Sequence, residues 1–163
     1  MPHSLTLQPL TAQAFAPYGD VLELAAGDAR SINAGTSARR ELPSMLQFTL
    51  AGGAPALATF RVQAQPLAGP WRMLERHRLG SQTFVPLQAG RWVVLVARGD
   101  NAPDPSTVAA FEASPLQGIT LHATVWHHPL IALDGGLFLV LERVGAEVDC
   151  DVVQLSPPIV LVS

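Results

Sequence analysis

The chain contains no lysine: all ten of its basic side chains are arginine. Schiff-base chemistry through a lysine amine on a carbonyl substrate is therefore excluded. Cysteine is nearly absent as well. Cys150 stands alone, so no intrachain disulfide can form and the chain reads as cytoplasmic. Charge is scarce, at 14% of residues, and its balance is only −3. That leaves no basic footprint for nucleic acid or for an anionic membrane surface. No apolar run approaches the roughly 18 residues of a membrane span. The start, "MPHSLTLQPL", lacks the basic opening and apolar run of a signal peptide.

What the chain has in quantity is apolar surface and punctuation. An apolar fraction of 48% over 163 residues suits a single domain, 1–163, with a sizeable core. Fourteen prolines and thirteen glycines supply turn points between short strands. Thr11 is placed to cap a short helical turn ended by Pro17 and Gly19. Strands are expected at Val21–Leu24, "SMLQFTLA", "ALATFRVQAQPL", "WRMLERH", "SQTFVPL", "RWVVLVA", "GITLHA", "LIAL" and "LFLVLER", with a last one in the tail. A second helix is expected from about Ser106 to Glu112, entered through Asp104-Pro105. Roughly ten short strands with one or two short helices predict an all-β barrel or jelly roll.

The chemistry concentrates in "LERHRLGSQTFVPL", which places Glu75, Arg76, His77 and Arg78 in a row ahead of an apolar strand. Alternate residues of a strand share a side, so Glu75 and His77 can face one cavity while Arg76 and Arg78 face away, toward the outside or a subunit contact. If "ITLHATVWHH" lines the same cavity, His127 joins them and His128 faces away or begins the loop at Pro129. An imidazole and a carboxylate in an apolar mouth make an acid–base pair or part of a metal site. The plainer alternative is that Glu75 and His77 are solvated loop residues. Arg61, with Gln63 on the same face, can hold a carboxylate by a bidentate pair. Asn33, in "SINAGTS", offers an amide, and Trp126 either walls a pocket or packs in the core. Cys150 lies between Asp149 and Asp151, which oppose thiolate formation, so it is not read as a nucleophile.

Taken together, "LERHRLGSQTFVPL", "WHHPLIAL", "FAPYGDVLE" and "RVQ" resemble the ureidoglycolate lyase family. The resemblance runs from "LQPLTAQAFAPYGDV" to "DCDVV". It implies a cupin-like double-stranded β-barrel, usually a homodimer, acting in allantoin and purine degradation. The implied reaction is carbon–nitrogen lysis of (S)-ureidoglycolate to glyoxylate and urea, called an amidohydrolase activity in older descriptions. It also implies an altered cupin metal site at Glu75, His77, Gln82 and His127, for a divalent ion such as nickel, and no organic cofactor.

Cleaving this carbinolamide needs a base for the hydroxyl proton and an acid for the leaving nitrogen, with no covalent nucleophile. The resemblance assigns His77 or His127 as base, with Glu75 exchanging or orienting protons. Arg61 anchors the substrate carboxylate, Gln63 is a further substrate-binding residue, Gln82 and Asn33 hold the ureido group, and Trp126 walls the pocket. The chain also departs from the family. Ser31 and Ala34 alter an "INNG" loop that a histidine precedes, and Thr120, Leu121 and Ala123 replace residues of "NYxRxxWHH" expected in the pocket wall. "VDCD" stands where "DNCD" is usual. These changes leave open a divergent cupin acting on a related carbinolamide or 2-oxo acid, or a non-catalytic small-molecule-binding cupin.

Overall fold

The computed structural model describes residues 3–163. The chain runs through β1 (His3–Thr6), β2 (Gln8–Pro9), the single turn of helix α1 (Ala12–Phe15), β3 (Gly19–Glu23), β4 (Arg30–Ile32) and β5 (Ser37–Arg39). It continues through β6 (Ala54–Val62), β7 (Trp71–Arg76), β8 (Gln82–Ala89), β9 (Trp92–Ala97) and β10 (Ala109–Ala113). The last elements are β11 (Gln117–Leu121), β12 (Trp126–His127), β13 (Ile131–Ala132), β14 (Gly136–Val144) and β15 (Asp151–Val162). One large sheet runs β1-β15-β7-β12-β9-β10-β2, with β13 also on β9. A second runs β3-β11-β8-β14-β6, and β4-β5 form a separate hairpin. The two large sheets face each other as a nearly closed, cupin-like barrel. Most pairings are antiparallel; β1 with β15 and β2 with β10 are parallel.

The logic of the barrel is clearest at β9. Its unbroken apolar sequence, "WVVLVA", is buried at every position because both of its faces are covered. Trp92, Val94 and Val96 point into the barrel, with Phe84, Ile119, Leu121, Phe138 and Val140. Val93, Leu95 and Ala97 point the other way, into a second core with Leu74, Trp126, Ile159 and Leu161. β1 and the long β15 extend the same sheet beyond β7, and Ile159 and Leu161 of β15 complete this second core.

Helix α1 plugs one side of the interior. The Thr11 side chain accepts from the Ala14 N–H at 3.2 Å, the expected cap. Phe15, fully buried, meets Phe111 edge-on at 5.4 Å. A Cβ on Gly19 would strike the Thr120 carbonyl, so glycine is what lets β3 lie close on β11.

Two segments differ from the sequence reading. "SMLQFTLA" forms no strand: its amides go to side chains, Met45 N–H to Asp20 Oδ2 and Gln47 N–H to Ser81 Oγ. The expected helix over 106–112 is one 3-10 turn, Pro105–Thr107, followed by β10. Asp104 does accept from the Ser106 N–H at 2.9 Å. Beyond it, pairing with β9 buries Ala109, Ala110 and Phe111, and that burial overrides the helix preference of an alanine-rich stretch.

Candidate active site

Inward-facing residues change character along the barrel. On β14 they run Phe138, Val140, Glu142, and the register sets these against Pro86, Phe84 and Gln82 of β8. On β9 they run Trp92, Val94, Val96, and Val96 pairs with His127, which pairs in turn with Glu75. One end of the interior is therefore an apolar floor, with Trp92 on Phe138 at 5.3 Å. The other end is a mouth carrying Gln82, Glu142, Glu75 and His127, with His77 just past the end of β7.

Glu75, His77 and His127 come together there. Each offers one ligand atom, and these atoms lie within 4.8 Å of one another. The His127 Nε2 to Glu75 Oε1 separation is 3.6 Å, longer than a hydrogen bond and an ion pair only when the imidazole is protonated. The two imidazole rings are 5.3 Å apart. Both are oriented from behind: His77 Nδ1 faces the Asp149 carbonyl at 2.6 Å and His127 Nδ1 faces the Val125 carbonyl at 3.0 Å. A carbonyl only accepts, so each Nδ1 carries a proton, and in the neutral ring Nε2 is the nitrogen left with a lone pair toward the mouth. The Glu75 carboxyl is held below the ordinary carboxylate range, first by its contact with His127 and against its own burial.

Beside this cluster lies a cavity of about 560 Å³, lined by Arg61, Gln63, Gln65, Glu75, Gln82 and apolar neighbours such as Phe60 and Phe84. Four residues singled out in the sequence, Arg61, Gln63, Glu75 and Gln82, thus share one wall. A second opening of about 300 Å³, lined among others by His77, Ser81, Glu142 and Cys150, approaches the cluster from the other side.

Two expected residues lie elsewhere. Trp126 is adjacent to His127 on a strand and so points to the opposite face, where it is 1% exposed within the second core and donates to the Gly99 carbonyl at 3.1 Å. Asn33 sits exposed on the separate hairpin, its amide toward Ser37 Oγ at 3.4 Å, and lines neither opening. Asn33 and Ala34 both adopt positive φ, 55° and 54°, which asparagine tolerates and alanine does not favour. The expected pocket wall is also corrected. Thr120 points away from the interior, with its hydroxyl buried against Thr83 Oγ1 at 2.8 Å and Ser44 Oγ, and Leu121 belongs to the apolar core. His128 faces away, as expected, edge-on to Trp71 at 4.9 Å. Partial burial and the nearby Glu75 carboxylate raise the Cys150 thiol pKa, in keeping with its reading as a non-nucleophile.

Sequence reasoning missed Gln65 and Glu142. Both signals were present: Arg61, Gln63 and Gln65 recur at period two, and Glu142 continues the inward series Phe138, Val140.

The residues present fit a metal. His77 Nε2, His127 Nε2 and Gln82 Oε1 are buried without a hydrogen-bond partner. Two imidazole nitrogens held from behind by backbone carbonyls, with a carboxylate beside them, are the donor set of a divalent transition metal.

An all-β barrel with an apolar floor and a histidine–carboxylate mouth defines a cupin-like enzyme. Residues 2–162 match the ureidoglycolate lyase family. Ureidoglycolate lyase from Azotobacter vinelandii is 39% identical over 148 residues, covering 90% of this chain and 89% of its own. Ureidoglycolate lyase from Stutzerimonas stutzeri is 38% identical over 149 residues, covering 91% and 88%. The chain belongs to the ureidoglycolate lyase family. A solved dTDP sugar isomerase from Desulfovibrio desulfuricans aligns at TM-score 0.42 and 17% identity over 82% of each chain, too distant to bear on function.

Proposed function

We propose that this mouth cleaves (S)-ureidoglycolate to glyoxylate and urea, as a step of allantoin and purine degradation. The observation that carries the reading is the pair of Nε2 lone pairs converging on Glu75 beside a cavity rimmed by Arg61. Arg61 binds the substrate carboxylate at the exposed rim, with Gln63 next to it. His127 Nε2 takes the hydroxyl proton, the carbonyl of glyoxylate forms, and the C–N bond breaks. The same proton then goes to the departing urea nitrogen, so the step consumes no acid or base. The Glu75 carboxylate is the counter-charge while the imidazole holds that proton, and His77 completes the cluster. Glu75, His77 and His127 would hold a divalent metal, which when bound would supply Lewis-acid polarisation of the substrate hydroxyl in place of proton acceptance by the His127 Nε2.

The test is glyoxylate release from racemic ureidoglycolate, corrected for spontaneous decay, before and after EDTA and after re-addition of nickel or manganese. Turnover of one enantiomer that falls with EDTA and returns with metal is the expected result. A folded, metal-supplied protein with no turnover above the blank would overturn the reading.

We also infer a homodimer. Leu57 and Leu87 lie on the outer face of the second sheet, 70% and 54% exposed, and offer the apolar surface a partner copy would cover. Sedimentation at micromolar concentration is expected to give twice the chain mass; a clean monomer would refute the inference.

A further inference from the structure

We infer that Glu142 decides which end of the Gln82 amide the substrate meets, and so makes the mouth select for N–H donors. The inference rests on the proposed function and names the feature of the substrate that this site reads.

Gln82 and Glu142 are register partners on β8 and β14, both pointing inward at the mouth. Gln82 is 5% exposed, and its Nε2 donates to Glu142 Oε2 at 2.8 Å. A primary amide can turn either end into a pocket, because its oxygen and nitrogen are nearly the same size. A carboxylate accepts only, so Glu142 takes the NH2 end and leaves the oxygen free. That oxygen, Oε1, is buried and has no partner. Gln65 Oε1 is in the same state, and both residues line the cavity that Glu75 and Arg61 line. Two buried acceptors without donors are costly until a ligand supplies donors.

The cavity therefore carries two kinds of polar group. Arg61, at the rim, suits an anionic end. The Gln82 and Gln65 oxygens suit an end rich in N–H groups: a urea or primary amide, not an ester or a second carboxylate. With Gln82 reversed, its NH2 would point inward and the preference would turn toward carbonyl oxygens. Glu142 is thus a positioning residue that acts through Gln82 and sets specificity without touching substrate. It reaches the mouth from the other opening, which it lines with His77.

The experiment uses Glu142→Gln, close in size, whose amide can donate or accept and so no longer fixes Gln82. Two inhibitors are compared: oxalurate, which ends in an NH2, and N-acetyloxamate, which carries a methyl there. The wild type is expected to prefer oxalurate by about tenfold, the size of one hydrogen bond to a buried acceptor. In Glu142→Gln the preference is expected to fall to about twofold or less, with KM for ureidoglycolate up about tenfold and kcat within about threefold. In a Gln82→Met background, the further change Glu142→Gln is expected to do nothing, because the group it positions is gone. Gln82→Met alone keeps the length, removes the amide and must reproduce the lost preference even if Glu142→Gln folds poorly. An unchanged inhibitor ratio in Glu142→Gln, an effect that survives in the Gln82→Met background, or metal loss with the ratio intact would each overturn the inference. Absence of wild-type turnover would strike the proposed function; the inhibitor ratio, read also as binding by calorimetry, tests Glu142 separately.

Discussion

Replacing His127 by alanine is expected to lower kcat for ureidoglycolate cleavage by about a thousandfold, within the range for loss of a positioned general base. The expectation follows from how the side chain is held. His127 is 2% exposed, its Nδ1 is tied to the Val125 carbonyl at 3.0 Å, and its strand register fixes it opposite Glu75. The ring has little freedom to turn, so its Nε2 is already aimed, and no neighbouring group can take over the aim. His77→Ala is expected to fall in the same direction, because His77 supplies the other converging Nε2. His127→Gln is the informative comparison. It restores bulk and polarity but no basic nitrogen, so it is expected to recover stability and leave kcat low. Glyoxylate release and thermal melting on the same preparations separate the two effects. If His127→Gln kept kcat within about tenfold of wild type, His127 would not be the base.

The mouth was legible because two short-range patterns converge. Period-two alternation in "LERH" put Glu75 and His77 on one side, and "VWHH" separated His127 from His128 onto opposite faces. The same reasoning placed Arg76 on the other face from Glu75, which is correct, and gave that face to the outside or a subunit contact, whereas Arg76 is buried within the chain itself. Alternation tells which residues share a face, but what covers a face is decided by elements far away in the chain. Here β15, from the far end of the sequence, pairs edge to edge with β7 and sets Asp151 against Arg76, while its Ile159 and Leu161 join Leu74 and Trp126 in the second core. Trp126 followed the same course, and Thr120 went wrong for a related reason. The resemblance put it in one wall with His127, but β11 and β12 belong to different sheets, and Thr120 turns its hydroxyl to Thr83 and Ser44. With Thr120 and Leu121 outside the cavity lining, most of the sequence-level case for an altered pocket wall loses its footing.

Replacing Arg76 by alanine is expected to be the most damaging change to stability away from the reacting groups, at about 3 kcal/mol. Arg76 is 2% exposed. Its guanidinium lies 4.3 Å over the Trp126 ring, donates from Nε to Asp151 at 2.8 Å, and reaches the Gly99 and Asp100 carbonyls with Nη1. Truncation takes the arginine donor from the Asp100 carbonyl, leaves the Gly99 carbonyl with Trp126 Nε1 alone, and uncovers the face of that tryptophan in the second core. Arg76→Lys is expected to recover less than half of the loss, because an ammonium cannot lie flat on the ring while reaching three acceptors. For a domain of this size the alanine variant's Tm should fall by roughly 6–12 °C. Its kcat per folded molecule should stay within about threefold, since Arg76 faces away from the mouth. Acid adds a second reading. Arg76, and after it Arg78, holds the Asp151 carboxyl below the ordinary carboxylate range. A carboxyl whose folded-state pKa is lowered contributes stability above its unfolded pKa and loses it as pH falls through the folded value. The pair is therefore intact at neutral pH and fails only in strong acid. Removing Arg76 takes away the larger cause of that lowering, so the variant should unfold at a higher pH than wild type during acid titration. Equal acid midpoints together with an unshifted Tm would mean that the Trp126 core holds without its guanidinium cover.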